Sequence, residues 1–284
     1  MQDRRSMMGL VGLGAATAVA AAGLAASPAV ADAAPGEGTF ARIRSSKKLR
    51  IAGIAGTEPY YHKDIASGGW SGFCMAMGND LAHSMEAEAE VVETTWGNAV
   101  LDLQAGKIDV AFGLSPTPAR ALVVDFSRPL LENTFTVIAK PGFEAASWSD
   151  LDRPEIRVAV DIGSTHDSFA RRVLPHATLV ALKTPDDAML AVQAGRADCV
   201  IQVVLLALVS VKKNPRLGRM IVPTPLIQQP TCVGMRVDAD GRFRSFVDAW
   251  LEYNKSLGVV RGWITDGLAL VGVAAADVPA NVQL

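Results

Sequence analysis

The sequence predicts an α/β fold made of two similar lobes. After residue 47, short runs rich in β-branched residues alternate with longer helical patterns, which is typical of α/β domains. Two such passages also repeat in the same order along the chain. A length of 284 residues is enough for about two domains, each with a sizeable core. We therefore expect two lobes facing each other across a cleft, which is a usual place for a small ligand.

The first 33 residues have the pattern of a secretory signal peptide. Arg4 and Arg5 precede an apolar stretch at residues 9–26, and a run of small residues follows at 29–33. The paired arginines and the Ala-rich core resemble a twin-arginine signal. An uncleaved membrane anchor is the alternative, because the stretch approaches the length that spans a bilayer. Alanine and glycine insert weakly, so a cleaved signal is favoured. Residues 34–46 are small and polar and are predicted to be a linker.

Charge and cysteine usage narrow the classes of function. The chain has 27 Lys and Arg against 29 Asp and Glu, a net charge of −2, and no basic block, which argues against nucleic acid as a partner. Cys74, Cys199 and Cys232 are odd in number and far apart, so we expect small buried residues and no disulfide framework or metal site. His62 and His166 have no metal-ligand spacing around them. We predict no metal and no cofactor.

Local patterns place the strands and helices in chain order. The predicted strands span residues 49–54, 90–94, 109–112, 135–139, 156–160, 178–181, 199–202 and 220–222. The predicted helices span residues 73–85, 98–105, 165–173, 185–194, 243–256 and 259–266. The apolar run 203–209 is too short to cross a bilayer and is interpreted as a buried helix. Trp96, Trp250 and Trp263 are predicted to be core residues.

A passage of the first half returns in the second. Residues 103–110 (LQAGKIDV) are repeated as residues 192–199 (VQAGRADC). Each passage is interpreted as the end of a helix at a glycine, followed by a basic residue, an Asp and a buried strand. Each is preceded by an earlier strand of the same kind, LRIA at 49–52 and IRVA at 156–159. Generic α/β chemistry is the alternative, but the shared order of two units favours duplicated lobes.

Two helix starts, one in each lobe, predict an anion-binding cleft. Thr117 is a good N-cap and places Arg120 in the first turn, where its planar guanidinium can take a carboxylate. In the second lobe, residues 161–167 (DIGSTHD) end a strand, and Gly163 permits a tight turn. Ser164 with an Asp three residues later resembles a capping box and leaves backbone donors exposed. Each lobe would present a helix N-terminus to one anion.

Six stretches of the chain match one known family: residues 72–73, 103–109, 117–120, 124–129, 163–165 and 195–198. Through them the chain, from about Lys48 to Leu270, resembles the solute-binding proteins of polar amino-acid ABC transporters, the bacterial solute-binding protein family 3. The resemblance implies a type II periplasmic-binding-protein fold, with crossovers near residues 131–134 and 230–234. It also implies the lobe limits: lobe I at residues 47–131 and 232–284, the latter with a C-terminal tail, around lobe II at residues 132–231.

The resemblance further implies a set of ligand-binding residues. Arg120 would hold the ligand's carboxylate, assisted by Ser115 and by Thr165 with its amide. Glu58, Tyr60 and Tyr61 follow the first strand, where relatives place an aromatic ring over the ligand, and such a ring stacks on an apolar or cationic face. The other implied ligand-binding residues are Gly113, Leu114, Ser164, Asp161, His166 and Val203.

Val203 stands where typical relatives have an Asp that pairs with the ligand's α-ammonium. A buried ammonium without a partner would cost several kcal/mol. Either Glu58, Asp161 or another acid takes this role, or the ligand is a carboxylate without a conventional α-amino group. We lean to the second explanation.

These features imply a monomeric periplasmic receptor that closes on a small carboxylate ligand, an amino acid or a similar organic acid, and delivers it to an inner-membrane ABC permease. Catalysis is not required for this role. The alternative is an exported enzyme on the same scaffold, a cyclohexadienyl (prephenate or arogenate) dehydratase-like lyase, with Glu58, Asp161 or His166 as the acid. A sensor partner of a membrane kinase would use the same binding chemistry.

Overall fold

The computed structural model describes residues 38–279. Within this range the chain forms a mixed ten-stranded sheet, a two-stranded hairpin and the helices that cover them. In chain order the elements are α1 (Thr39–Ser46), β1 (Lys48–Gly53), β2 (His62–Lys63), β3 (Trp70–Ser71), α2 (Phe73–Ser84), β4 (Glu88–Glu93), α3 (Ala99–Gln104), β5 (Val110–Leu114), α4 (Pro118–Ala121), β6 (Asp125–Phe126), β7 (Leu131–Ala139), α5 (Trp148–Leu151), β8 (Arg157–Asp161), α6 (Thr165–Val173), β9 (Thr178–Leu182), α7 (Pro185–Gln193), β10 (Cys199–Val203), α8 (Val204–Lys213), β11 (Arg219–Ile221), β12 (Gln228–Met235), α9 (Arg242–Ser256) and α10 (Val259–Leu270).

The sheet has two halves that meet at a pair of crossing strands. Its order is β4-β1-β5-β12-β7-β10-β8-β9, with β6 on β12 and β11 on β7. We call the half built on β1, β4 and β5 lobe I, and the half built on β8, β9 and β10 lobe II. Residues 131–134 of β7 pair antiparallel with residues 228–231 of β12, so the two crossings lie in these strands. This is the type II periplasmic-binding-protein fold that the sequence predicted. The exact lobe limits stay a prediction.

The sequence repeat corresponds to the same hydrogen-bond arrangement in each lobe. In lobe I, the Asp109 carboxylate accepts hydrogen bonds from the backbone N–H of Arg50 at 2.8 Å and from its guanidinium at 2.7 and 3.2 Å. In lobe II, Asp198 accepts the equivalent bonds from Arg157 at 2.8, 2.9 and 3.2 Å. Each Asp therefore ties the start of its lobe's central strand to the loop that follows the repeated glycine. This shared geometry supports duplicated lobes.

The predicted linker is wrong over its second part. Residues 39–46 form helix α1, in which Thr39 and Ile43 are buried. The ring of Phe40 packs edge-on against Phe246 of α9 at 5.5 Å between centroids, and Arg42 pairs with Asp109. The small and polar residues of this segment concealed the helix, because only one of its two buried residues, Ile43, is apolar. The earlier part of the predicted linker and the predicted signal peptide lie outside the described residues.

The predicted strands and helices are confirmed, with ends shifted by at most four residues. The apolar run after residue 203 is the buried helix α8, and the three cysteines are buried and free. Trp250 is a core residue and stacks on Trp263 at 6.0 Å. The sequence patterns missed the β2-β3 hairpin, α5 and strands β6 and β12. No helix within residues 38–279 is both long and apolar enough to cross a membrane.

Candidate functional site

A small cavity with an open mouth lies between the two lobes. Both lobes and one of the crossing strands, β7, contribute to its wall. Eight of the predicted ligand-binding residues line it: Tyr60, Gly113, Ser115, Arg120, Ser164, Thr165, His166 and Val203. Three further residues complete the wall: Trp96, Asn133 and Leu206. The structure therefore brings most of the predicted site together in one place.

Arg120 is a buried cation at the lobe I side of this cavity, only 8% exposed. Thr117 caps the short helix α4 by accepting a hydrogen bond from the Arg120 backbone N–H at 3.2 Å. The guanidinium donates to three backbone carbonyls, those of Ser115 at 3.0 Å, Trp96 at 3.4 Å and Gly163 at 3.1 Å. Among residues 38–279 no carboxylate lies within ion-pair distance of it. Burial lowers the pKa of Arg120 to about 10, while the charge of Asp161 acts in the opposite direction.

Helix α6 begins at the lobe II side of the cavity. Its N-cap, Ser164, accepts a hydrogen bond from the backbone N–H of Asp167 at 3.1 Å, and the Asp167 carboxylate accepts one from the N–H of Gly163 at 3.0 Å. The predicted capping arrangement is thus present, although the acid returns to Gly163 instead of to the cap residue. The N–H groups of the first turn, at Thr165 and His166, remain available for an anion.

His166 and Asp161 form a buried pair beside the cavity. The His166 Nδ1 lies 2.9 Å from the Asp161 Oδ1, and both side chains are almost completely buried. Burial raises the pKa of Asp161, but the contact with His166 and further hydrogen bonds outweigh it and leave the pKa below its usual range. The Phe135 ring meets the imidazole edge-on at 6.3 Å. His166 lines the cavity, whereas Asp161 lies behind it.

A chain of hydrogen bonds connects the cavity wall with the crossing strands. The Tyr60 hydroxyl donates to Asn133 Oδ1 at 2.6 Å, and Asn133 Nδ2 donates to Thr231 Oγ1 at 2.5 Å. Thr231 Oγ1 is 3.5 Å from Ser115 Oγ. Asn133 belongs to β7 and Thr231 to β12, so the network joins lobe I to both crossings. Tyr60 is therefore fixed by its hydroxyl as well as by its ring.

Glycines allow close approaches at the cavity. Gly113 has φ +81°, and a Cβ there would lie 3.0 Å from the Tyr60 ring and 3.1 Å from the Trp96 ring. Across the cavity, a Cβ on Gly97 of lobe I would lie 2.7 Å from the Ile162 carbonyl oxygen of lobe II. The two lobes thus meet through backbone at this point.

Four predicted residues do not line the cavity. Leu114 packs in the lobe I core against Gly234. Glu58 is directed elsewhere, with its carboxylate 2.8 Å from His62 Nδ1 and 3.1 Å from Lys213 Nζ. Burial raises the pKa of Glu58, but these two partners leave it lowered overall. Asp161 is the third, as described above. Tyr61 is also buried away from the cavity and donates to the Phe112 carbonyl at 2.8 Å.

Trp96 and Asn133 are wall residues that sequence reasoning missed. Trp96 is a buried core residue, as predicted, but its ring also lies edge-on to Tyr60 at 6.3 Å and lines the cavity. Asn133 is a polar residue in a predicted crossover, and that combination was the available signal. Val203 does line the cavity, and no Asp or Glu does among the described residues. No acid therefore substitutes there for the missing ammonium partner.

Comparisons with known proteins agree with this geometry. Residues 49–172 match the model of the bacterial extracellular solute-binding proteins, family 3. Cyclohexadienyl dehydratase of Pseudomonas aeruginosa is 29% identical over 233 residues, which cover 79% of this chain and 84% of that protein. The ABC transporter arginine-binding protein 1 of Escherichia coli is 27% identical over 195 residues, 67% of this chain and 78% of that protein.

A solved structure shows the same similarity in three dimensions. The crystal structure of an ancestral amino-acid-binding protein, described as a precursor of cyclohexadienyl dehydratase, superposes with a TM-score of 0.71 at 28% identity. The match covers 79% of this chain and 97% of the ancestral one. The family match over residues 49–172, these relatives and the fold agree with the resemblance seen in the sequence: the chain is similar to the bacterial extracellular solute-binding proteins, family 3.

Proposed function

We propose that this protein is an extracytoplasmic receptor that captures a small carboxylate ligand between its lobes and delivers it to an ABC permease. The observation that carries the proposal is the buried guanidinium of Arg120, which has only neutral carbonyl partners. A buried charge needs a partner of opposite sign, and the planar fork of Arg suits a carboxylate. The amides that begin helix α6 supply further donors for the same anion.

Ligand capture would work through closure of the lobes. Arg120 belongs to lobe I and its hydrogen bond to Gly163 crosses to lobe II. A carboxylate placed between the guanidinium and the α6 amides would contact both lobes at once. Such a ligand stabilises the closed form because it makes contacts there that the open form cannot offer. The closed form would then be the one that the permease recognises.

The cavity wall favours an acid without an α-ammonium group. The wall residues within the described part of the chain offer a guanidinium, an imidazole, hydroxyls and amides, but no carboxylate. An ammonium group buried beside Arg120 would meet a like charge and no compensating anion. Trp96, Tyr60 and Leu206 supply apolar surface for the remainder of the ligand. Organic acids related to amino acids therefore fit this wall better than amino acids do.

Export and location belong to the same proposal. The predicted signal peptide would place the mature chain in the periplasm. There we expect it to act as a monomer. N-terminal sequencing of the protein recovered from the periplasmic fraction tests this: a mature terminus close to residue 34 is expected, and a full-length chain retained in the membrane would contradict it.

Replacement of Arg120 tests the receptor proposal. We expect Arg120→Ala to weaken binding of a carboxylate ligand by about 2–5 kcal/mol, roughly 30- to 5,000-fold, since one partner of a buried charge pair is lost. Thermal unfolding of the ligand-free variant is measured in parallel, because the change removes an unpaired buried cation, which favours the fold, and three hydrogen bonds to backbone carbonyls, whose loss opposes it. Arg172→Ala, an exposed position on α6, is the matched control. Normal affinity in Arg120→Ala would contradict the carboxylate assignment.

A dehydratase activity is the second candidate. It is favoured by the similarity to cyclohexadienyl dehydratase and by a wall that lacks an ammonium partner. In such a reaction on prephenate, His166 would give a proton to the departing ring hydroxyl, which leaves as water. The electrons of the bond to the lost CO₂ would form the aromatic ring. A prephenate turnover assay distinguishes the candidates: product formation that is lost in His166→Ala indicates the enzyme, and saturable binding without turnover indicates the receptor.

A further inference from the structure

Helix α8 of lobe II ends in two consecutive lysines, and each of them reaches a carboxylate of lobe I. Lys213 Nζ lies 3.1 Å from the carboxylate of Glu58, on the loop that follows β1. Lys212 Nζ lies 3.9 Å from the carboxylate of Asp277, in the segment that follows α10, and α10 packs on α2 of lobe I. We call these four residues the clasp. None of the four lines the ligand cavity, so the clasp joins the lobes at a separate place.

Helix α8 connects the ligand cavity with the clasp. Leu206, in its first turn, lines the cavity, and the two lysines lie in its last turn. A helix rises about 1.5 Å per residue, so the seven residues from Leu206 to Lys213 span about 10 Å. The buried side of the helix, which includes Ala207 and Val209, packs into lobe II. A force on the lysines therefore acts on lobe II as a whole.

A second charged residue of lobe II, Asp186 of α7, contacts the same loop of lobe I. A Cβ on Gly56 would lie 2.7 Å from the Asp186 Oδ2, so this acid is packed against lobe I. Burial and the charge of Glu58 raise the pKa of Asp186, and the charge of Lys213 lowers it. Two acids from opposite lobes and one cation therefore lie near one another. Without Lys213, Glu58 and Asp186 would repel each other across the boundary between the lobes.

The helix dipole alone would also favour lysines at the end of α8. The position of Glu58 argues for a further role. Its side chain is only 16% exposed, and its carboxylate is shared between His62 of its own lobe, at 2.8 Å, and Lys213 of the other lobe. Opening of the lobes would leave Glu58 with His62 and would leave Lys213 in solvent. The pair between Glu58 and Lys213 is thus a contact of the closed form.

We propose that Lys212 and Lys213 are positioning residues that hold the lobes closed from outside the ligand cavity, through Asp277 and Glu58. They set the ratio of closed to open protein before any ligand enters. Contacts of the closed form also stabilise the liganded protein, so the clasp raises ligand affinity when the ligand-free protein is mostly open. This inference rests on the proposed capture of a ligand by lobe closure, and it adds that residues which the ligand does not touch bias that closure.

Pulsed electron paramagnetic resonance on the ligand-free mature protein measures this ratio. Nitroxide labels are attached at Gln104→Cys and Gln193→Cys, which are exposed and occupy equivalent positions of the repeat in lobes I and II. The native cysteines are buried, which protects them from the label. The separation of the two sites in this structure identifies the closed form, and a second separation identifies the open form. A wild-type protein without a detectable closed population would overturn the inference.

Substitutions of Lys213 change the ratio in opposite ways. Lys213→Met should lower the closed-to-open ratio by about two- to fivefold, which is the size expected of a partly exposed ion pair. Lys213→Glu should lower it further, because three acids then meet at one boundary, whereas Lys213→Arg keeps the cation and should preserve the ratio. Arg172→Met, which removes an exposed cation from the last turn of α6, is the matched control for the helix dipole. An unchanged ratio in Lys213→Glu, or an equal fall in Arg172→Met, would overturn the inference.

A double-mutant cycle assigns the effect to the pair. In a Glu58→Gln background, Lys213→Met should lower the ratio less than it does in the wild type, and an undiminished effect there would overturn the inference. At about 1 M NaCl, where the Debye length is about 3 Å, the wild-type ratio should approach that of Lys213→Met. These measurements use no ligand, so they are independent of the receptor proposal. Normal binding by Arg120→Ala would reject the carboxylate site alone, and an unchanged ratio in Lys213→Glu would reject the clasp alone.

Discussion

Asp198 offers the sharpest test of how the repeated Asp stabilises its own lobe. Its carboxylate accepts three hydrogen bonds from Arg157 and one from Lys140, and it is itself buried. One of these donors is the backbone N–H of Arg157 at the first residue of β8. Asp198→Ala therefore removes two ion pairs and leaves one backbone donor without its acceptor.

The expected cost follows from the exposure of each partner. The Arg157 and Lys140 side chains are each 39% exposed, so solvent screens their pairs and each contributes about 0.5–1 kcal/mol. The unpaired backbone donor adds about 1–2 kcal/mol. The sum is roughly 2–4 kcal/mol of unfolding free energy. For a chain of this size 1 kcal/mol corresponds to about 2–4 °C, so the melting temperature should fall by about 4–16 °C.

Differential scanning calorimetry of the mature protein at pH 7 gives this measurement. Asp109→Ala is the matched variant, because Asp109 makes the equivalent contacts to Arg50 in lobe I. A loss of similar size in both variants would support equivalent roles for the two halves of the repeat. A change of less than about 1 °C in Asp198→Ala would refute the reasoning, since it would mean that these bonds contribute nothing net.

The pH dependence of the melting temperature of Asp198→Ala is a second check on the direction of this effect. Burial raises the pKa of Asp198, but the hydrogen bonds from Arg157 and Lys140 outweigh it and hold the pKa well below its usual range. A carboxyl group with a lowered pKa in the folded state contributes stability above its ordinary pKa of about 3.9, and loses it as the pH falls through the folded value. The difference in melting temperature between wild type and Asp198→Ala should therefore shrink below about pH 4.

Two further predictions concern the closure of the lobes and a carboxyl group whose pKa is raised by its surroundings. Gly97→Ala would press a Cβ against the Ile162 carbonyl, so ligand affinity should fall by roughly 5- to 150-fold in titration calorimetry. Gly262→Ala, where a Cβ meets open space, should bind normally, and an equal loss there would contradict the clash. The pKa of Asp186 is raised by burial and by the charge of Glu58, so its ionised form destabilises the fold above that pKa. Asp186→Asn should raise the melting temperature by about 1–3 °C at pH 7 and by less at pH 4, and a lower melting temperature at pH 7 would contradict this.

The parts of the fold that the sequence predicted are those set by local pattern. The strands beside the repeated Gly-x-x-Asp passages have continuous apolar runs because both their faces are covered, and their positions were found to within a few residues. Strand β12 escaped notice because its first residues are polar and include Pro230, which is tolerated at a crossing strand. Helix α1 escaped because its stability comes from packing on α9 and from Asp109, and neither contact is visible in a short window.

At the candidate site, only the residues that belong to a local pattern could be predicted from the sequence. Arg120 and the start of α6 were predictable, because capping residues and a guanidinium in a first turn form a local pattern. Asn133 enters the wall only because β7 passes between the lobes, and Trp96 only because its loop turns towards Tyr60. Glu58 lies on the expected loop, but its carboxylate forms an ion pair with Lys213 of lobe II, so its charge is already compensated.

The charge of the cavity follows from these contacts and not from composition. The acid missing at Val203 would matter little if Glu58 faced the cavity, and the structure directs that carboxylate to His62 and Lys213 instead. What remains for a ligand is the guanidinium of Arg120 and the imidazole of His166, whose Nδ1 is held by Asp161. A site of this kind is selective through the charge that it lacks, because an ammonium group buried there is left without a partner.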